Sequence, residues 1–513
     1  MELKRSGGTL LHPSSLPGPY GIGDFGKHAF SFIDFLYESG QKLWQILPLG
    51  PTGYGDSPYS CFSAFAGNPL LINPDDLLDK GYLKESDLRT APDFDDYKVD
   101  FGRVIFWKTA ILHKAAGVFL KEYSGKRQNA EYKKFLEDNK YWLDDYALFM
   151  SIKKHFDNKA GNECVSNSIW HKYWDKGLAL RDKGSLAEWR GSNEIQIETY
   201  KIWQYFFFKQ WSEVKKYAAE KNVKIIGDIP IFIAQDSVDV WANKELFHLN
   251  PDGSPSVVSG VPPDYFSKSG QLWGNPIYNW EAMKENGFVW WRERIKHMLK
   301  QVDIIRIDHF RGMQAYWEVK AGETTAENGR WKKAKGQDLF AALKAELGDL
   351  PIIVEDLGLI TKEVRDLRDK WKFPGMAVLQ FAFEFDEKGN FNADNCFLPH
   401  NHVFYQTVYT GSHDNNTLSG WYFSLDDKMK DRIRRYLGRP DNDIVWEFIR
   451  MAYSSVAAYA IIPLQDLLGL DASARMNTPS TLGNNWTWRF GEEQLSDYVK
   501  GRLREMAGNY GRI

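Results

Sequence analysis

Eight short apolar runs, separated by stretches of helical periodicity, constrain the fold of this chain more than any other feature. They span residues 9–11, 43–47, 223–229, 302–307, 352–354, 376–381, 403–409 and 458–462. Runs this short with no polar face read as strands buried on both sides, the habit of parallel sheets covered by helices. The intervening segments suit the covering role. Ala29, Phe30, Phe32, Ile33 and Leu36 recur at helical offsets before Gly40, and Ile202, Trp203, Phe206, Phe207 and Trp211 do the same. Eight such units close on themselves, so the predicted class is α/β and the predicted fold a (β/α)8 TIM barrel.

Two gaps are too long for a single crossover. The segment 75–195 carries helical patterns such as Phe106-Ile111-Leu112 and Tyr141-Leu143-Tyr146-Leu148, and reads as a mainly helical insertion. The segment 232–285 is rich in Gly, Pro, Ser and aromatics and reads as a loop-rich lid insertion over the C-terminal mouth. The chain is expected to form one catalytic domain over 1–513, with no separate C-terminal β-domain.

Charge excludes one class of partner. A formal net charge of −3 with interspersed signs offers no basic stripe, so nucleic acid is not expected. Cys61, Cys164 and Cys396 lie far apart with no C-x-x-C spacing, which argues against a disulfide framework or a structural zinc site. The N-terminus lacks the apolar stretch of a signal peptide or membrane span, so a cytoplasmic protein without membrane contact is expected. Aromatics supply 15% of the residues, many beside Gly, Pro, Asp and Asn, as in Trp273-Gly-Asn-Pro and Asn485-Trp486-Thr-Trp488. Flat apolar rings with polar neighbours suit a ligand with apolar faces and a hydroxyl rim, that is, a sugar.

Barrel chemistry sits at the C-terminal ends of strands, and there the sequence places acids. Asp228, Asp308 and Glu355-Asp356 directly follow apolar runs, and Ser412-His413-Asp414 follows the seventh. One such acid is commonly a helix cap or an ion-pair partner; four around one mouth suggest either a metal site or the divided labour of glycosidic cleavage. Arg306 decides between them. Two residues before Asp308 on one strand, it faces the same way and favours the ionised carboxylate, which suits a nucleophile and opposes a cation. Glu355 needs the opposite environment if it is to protonate a leaving oxygen.

The segments IIRIDHFRG, IIGDIPIF, PIIVEDLG and TGSHDNNT resemble the active-site strands of the α-amylase superfamily. More closely, HPSSLPGPYGIGDFG, GYGDSPYSCFSAFAGNPLLI, GVPPDYFSKSGQLWGNPIYNW and RMNTPSTLGNNWTWR resemble the amylomaltase or disproportionating-enzyme family, the 4-α-glucanotransferases, from about His12 to Arg489. The resemblance implies retaining transfer of α-1,4-glucan segments between maltooligosaccharides. It makes Asp308 the nucleophile, Glu355 the acid/base and Asp414 the carboxylate that grips sugar hydroxyls. It places Tyr59, Asp228, Asp264, Gln271, Trp273, Arg306, His309 and His413 on substrate, with no metal, no organic cofactor and no obligate protein partner.

Other readings carry less. Gly21, Gly23 and Gly26 fit G-x-G-x-x-G, but His12 to Tyr20 intervene between them and the strand, and no ribose-binding acid ends the next strand. His309, His413 and Asp414 would be ligands in a metallohydrolase, yet no H-E-x-x-H or H-x-H pair occurs. A non-catalytic glucan binder would share the aromatic loops without needing Arg306, Asp308 and Glu355 together. A hydrolase of the same superfamily differs only in whether water or sugar takes the glucosyl group, which the sequence leaves open.

Overall fold

Each apolar run contributes one strand to a single sheet. The computed structural model describes residues 3–123, 129–160, 168–263, 268–386, 388–481 and 483–513. The strands are β1 (Ser6–Leu10), β2 (Leu43–Gln45), β3 (Lys224–Ile229), β4 (Ile304–Ile307), β5 (Ile352–Val354), β6 (Gly375–Val378), β7 (Gln406–Tyr409) and β8 (Tyr459–Pro463). All neighbours pair in parallel, β8 on β1 included. Between β5 and β6 a 2.9 Å bond from Val354 N–H to the Pro374 carbonyl spans the remaining gap, so the sheet is a nearly closed (β/α)8 barrel. Helices between the strands, beginning with Lys27–Glu38, and a last helix after β8, Asp497–Asn509, complete the fold. The interior is spoked as well as apolar: Tyr409 OH on β7 donates to Gln45 Oε1 on β2 at 2.7 Å.

Strand limits depart from the sequence runs for local reasons. β1 begins earlier, at Ser6, because Gly7 and Gly8 extend it; a Cβ on Gly8 would lie 2.5 Å from Leu43 Cβ on the adjoining strand. Residues 403–405 stay outside β7 and exposed, and Leu379–Phe381 tightens into a 3-10 turn after β6. The glycines of GIGDFG serve packing, since a Cβ on Gly23 would fall 2.0 Å from the Pro13 carbonyl oxygen.

The excursion between β2 and β3 carries the helices Phe101–Tyr123, Ala130–Ala160 and Glu194–Glu220. The last of these runs back onto the barrel. Gln204 and Gln210 each make paired bonds to backbone, at Gly67 and Asn73, and Trp211 Nε1 donates to the Gln301 carbonyl.

A second sheet, absent from the sequence reading, stands over the mouth. Val257–Val261 pairs antiparallel with Gln271–Pro276 on one side and with Ala315–Lys320 on the other, and Ala315–Lys320 pairs with Arg330–Lys333. Half of it comes from within 232–285 and half from the segment that leaves β4. After Pro463 the described residues contain no further named strand, and no described helix is long and apolar enough to cross a membrane. Cys61 and Cys396 are free thiols; Cys164 lies outside the described residues.

Candidate active site

Arg306 is the centre from which the site is built. It sits on β4 with its side chain buried, and its Nη1 donates both to Asp228 Oδ2 on β3 and, at 2.9 Å, to Asp308 Oδ1 just beyond β4. Its Nε faces Met376 Sδ on β6 at 3.5 Å. Burial opposes the guanidinium charge, but Asp228 and then Asp308 more than offset it, and the group is held well above its ordinary value. Asp228 is pushed up to about 6 by its own burial, with Arg306 pulling against it. Its Oδ2 also accepts from Tyr59 OH at 2.8 Å. Its Oδ1 is buried without a partner among the described residues, which leaves an acceptor for a ligand hydroxyl.

Tyr59 extends the network to β7. Its ring stacks on His413 with centroids 4.8 Å apart, and its hydroxyl lies 3.3 Å from His413 Nδ1. Trp486 leans on both rings at 5.9 Å. His413 Nε2 lies 3.4 Å from Asp414 Oδ1, which also accepts from Asn477 Nδ2 at 2.6 Å, while Arg475 holds the Asp414 carbonyl. Asp414 is therefore fixed by three neighbours although half its side chain is open to solvent. One cleft bordering the site is lined by Tyr59, Asp228 and Phe232, another by His12, Ser412 and His413.

Glu355 occupies the opposite electrostatic environment. It follows β5, and its two oxygens accept backbone N–H groups, from Leu357 at 2.9 Å and from His309 at 2.6 Å. Burial, and then the charge of Asp308, push the carboxyl up to about 8; Arg306 and the two backbone bonds act the other way without prevailing. Near neutrality this group keeps its proton and can donate it.

The turn after β4 makes that clamp possible. His309 adopts the left-handed conformation at φ 50° and ψ 51°, an uncommon state for a residue with a Cβ. It aims the His309 N–H at Glu355, and the next residue, Phe310, donates its N–H to the Glu355 carbonyl at 2.9 Å. Burial lowers His309 to about 4 against the opposing charge of Asp308, so the imidazole is neutral. The Trp273 ring meets it edge-on at 4.7 Å and remains 38% exposed, and Trp273 Nε1 donates to Gln271 Oε1 at 3.3 Å.

Of the residues singled out in the sequence, Asp228, Arg306, Asp308, Tyr59, His413 and Asp414 form one connected network, and Glu355, His309, Trp273 and Gln271 a second that adjoins it at Asp308. Asp264 lies outside the described residues, as do Tyr265 and Phe266. Residue-by-residue reasoning missed Asn477 and Arg475, which fix Asp414, and it read Trp486 only as a loop aromatic suited to a sugar, whereas its ring also packs on His413. They fall inside RMNTPSTLGNNWTWR, a motif with no spacing that betrays its chemistry. His12 was missed too. It is buried, lowered to about 3 by burial and then by His413, and its Nδ1 has no partner among the described residues. Among those residues no group of three or more His, Cys, Asp or Glu is arranged to hold a metal ion.

Residues 11–494 match the family model described as 4-alpha-glucanotransferase. A 4-alpha-glucanotransferase of Synechocystis is 48% identical, with 99% of this chain and 98% of that one covered. That of Thermus thermophilus is 43% identical, with 99% of each covered. Among solved structures, the amylomaltase from Streptococcus agalactiae in complex with acarbose superposes with a TM-score of 0.93 at 42% identity, covering 99% of this chain and all of the other.

Proposed function

The chain belongs to the 4-α-glucanotransferase family, and on that footing we propose that Asp308 is its nucleophile, Glu355 its acid/base and Asp414 the carboxylate that grips the sugar in the transition state. Its activity is 4-α-glucan transfer: a segment of an α-1,4-glucan passes to the 4-hydroxyl of an acceptor glucan or glucose.

One observation carries the division of roles: the two neighbouring carboxyls have different partners, a guanidinium on Asp308 and backbone N–H groups on Glu355. Arg306 donates directly to Asp308 at 2.9 Å, while Glu355, which no described side-chain cation bonds, is pushed up to about 8 by burial and the charge of Asp308. Asp308 attacks the anomeric carbon as Glu355 protonates the departing oxygen, and a covalent glucosyl-enzyme forms through an oxocarbenium-like state. Glu355, now ionised, takes the proton of the acceptor hydroxyl as that oxygen displaces Asp308, restoring the α configuration. Developing positive charge on the sugar ring faces Asp308 and Asp414, and Asp228 Oδ1 and the Tyr59–His413 pair offer polar contacts to its hydroxyls. Trp273 on the second sheet offers an apolar face to the acceptor, whose presence excludes water from the glucosyl-enzyme.

Maltooligosaccharides and longer α-1,4-glucans are the substrates of this reading. It further takes 1–513 as one catalytic barrel domain, with 75–195 as a helical insertion and 232–285 as the lid, working in the cytoplasm without metal or organic cofactor. The test is incubation with maltotriose and separation of products by length. Glucose with a ladder of longer chains is expected from the wild type, and none from Asp308→Asn. Turnover above about a tenth of wild type in Asp308→Asn, a loss under ~1.4 kcal/mol, would refute the nucleophile assignment.

A further inference from the structure

The second sheet meets the turn after β4 from both of its edges. From one edge strand Trp273 touches His309. From the opposite edge strand Trp331 lies under the Arg311 guanidinium, whose central carbon is 3.8 Å from the ring centroid. The strand Ala315–Lys320 between them is the direct continuation of the Phe310–Met313 turn, and Ala334 N–H bonds back to the Gln314 carbonyl at 2.9 Å.

Arg311 also reaches in a second direction. Its Nη1 donates to the carbonyl of Leu359, in the loop that follows β5. Leu359 is 69% exposed, so its side chain does not hold that loop, and the preceding Gly358 has a positive φ of 79°. Two residues earlier, Leu357 donates the N–H that Glu355 Oε1 accepts. The contacts therefore form a circuit: from Glu355 through Leu357 and Leu359 to Arg311, and back through Phe310 and His309 to Glu355. The Arg311 side chain closes it and ties it to the sheet.

The geometry points to Arg311 as a positioning residue: with its face on Trp331 and its rim on Leu359, it lets the second sheet hold the Glu355 loop in place. Arginine suits the position because a planar guanidinium can stack and donate at once, whereas a lysine ammonium cannot. The inference rests on Glu355 being the acid/base, and the test separates the two claims.

Two donors are compared, maltotriose and α-maltotriosyl fluoride, the latter with azide as acceptor. Fluoride departs with the C–F electron pair and needs no proton, and azide attacks the glucosyl-enzyme without a base, so neither half-reaction leans on Glu355. In Arg311→Met the maltotriose rate should fall by about tenfold or more, within the range an acid/base contributes, while fluoride release changes by less than about threefold. Trp331→Leu should show the same selectivity, and carries the test if Arg311→Met fails to fold. Arg311→Lys should not restore the maltotriose rate. Equal loss on both donors in both variants, or full rescue by lysine, would overturn the role of Arg311. Glu355→Gln is the control and should be still more selective. If it lost both donors equally, the acid/base assignment would fail, whatever the Arg311 variants do.

Discussion

Replacing Glu355 by Gln should stabilise the protein at alkaline pH while it removes turnover. In the unfolded chain this carboxyl ionises near its ordinary 4.5, whereas burial and Asp308 push it up to about 8 in the folded protein. Between those values the folded state holds a proton that the unfolded state does not. Stability from this group is thus fully present below about 4.5 and is lost as pH rises through about 8. At about 1.4 kcal/mol per pH unit the window amounts to ~5 kcal/mol, and partial contact of the residue with solvent reduces it to roughly 3 kcal/mol. Gln is neutral throughout and escapes the loss. A 513-residue chain unfolds with an entropy of roughly 1 kcal/mol/K. By scanning calorimetry the variant should therefore melt roughly 3 °C above wild type at pH 9, and within about 1 °C of it at pH 4.5. The same difference at both pH values, or none at pH 9, would show that the folded site does not hold Glu355 protonated.

The same proton governs rate, so kcat/KM on maltotriose should fall above about pH 8, and a descending limb below pH 7 would contradict the environment described for Glu355. Arg306→Lys keeps the charge but cannot bridge Asp228 and Asp308 in one plane, and should cut kcat by about a hundredfold or more with the fold intact by circular dichroism. Asn477→Ala frees one side of Asp414 and should lower kcat/KM by about tenfold, the worth of one hydrogen bond to a charged group. Trp273→Ala should lower transfer more than hydrolysis, read as the ratio of new long chains to new reducing ends; an unchanged ratio would place the water-excluding element elsewhere.

The barrel was legible because strands buried on both faces must be written as unbroken apolar runs, and because the acids at their ends interrupt those runs abruptly. The second sheet was not, for a physical reason. Arg330, Trp331, Lys332 and Lys333 form an edge strand whose mostly exposed face must resist pairing with other chains, so charge replaces alternation. Gln271–Pro276 likewise buries only Pro276, with the rest exposed or half-buried. Such strands exist only through partners distant in sequence. The acidic centres of the site were visible from strand ends and the family motifs, whereas Asn477 and Arg311 act by reaching across loops, a property that spacing does not encode. The left-handed φ of His309 had no signal either, since neither it nor its neighbours Asp308 and Phe310 is the glycine that would mark such a turn.

The turn after β4 also decides what heating can disturb. The Asp308 side chain, the His309 N–H and the Phe310 N–H are consecutive, so the proposed nucleophile and the two amides that hold Glu355 are linked by peptide units of about 3.8 Å, a covalent length rather than a packing distance. Side-chain packing loosens on warming; bond lengths do not. The spacing of the Asp308 and Glu355 carboxyls is in this sense a ruler built into three residues, tolerant of softening in the surrounding core and intolerant of inserting or deleting even one residue between 308 and 310.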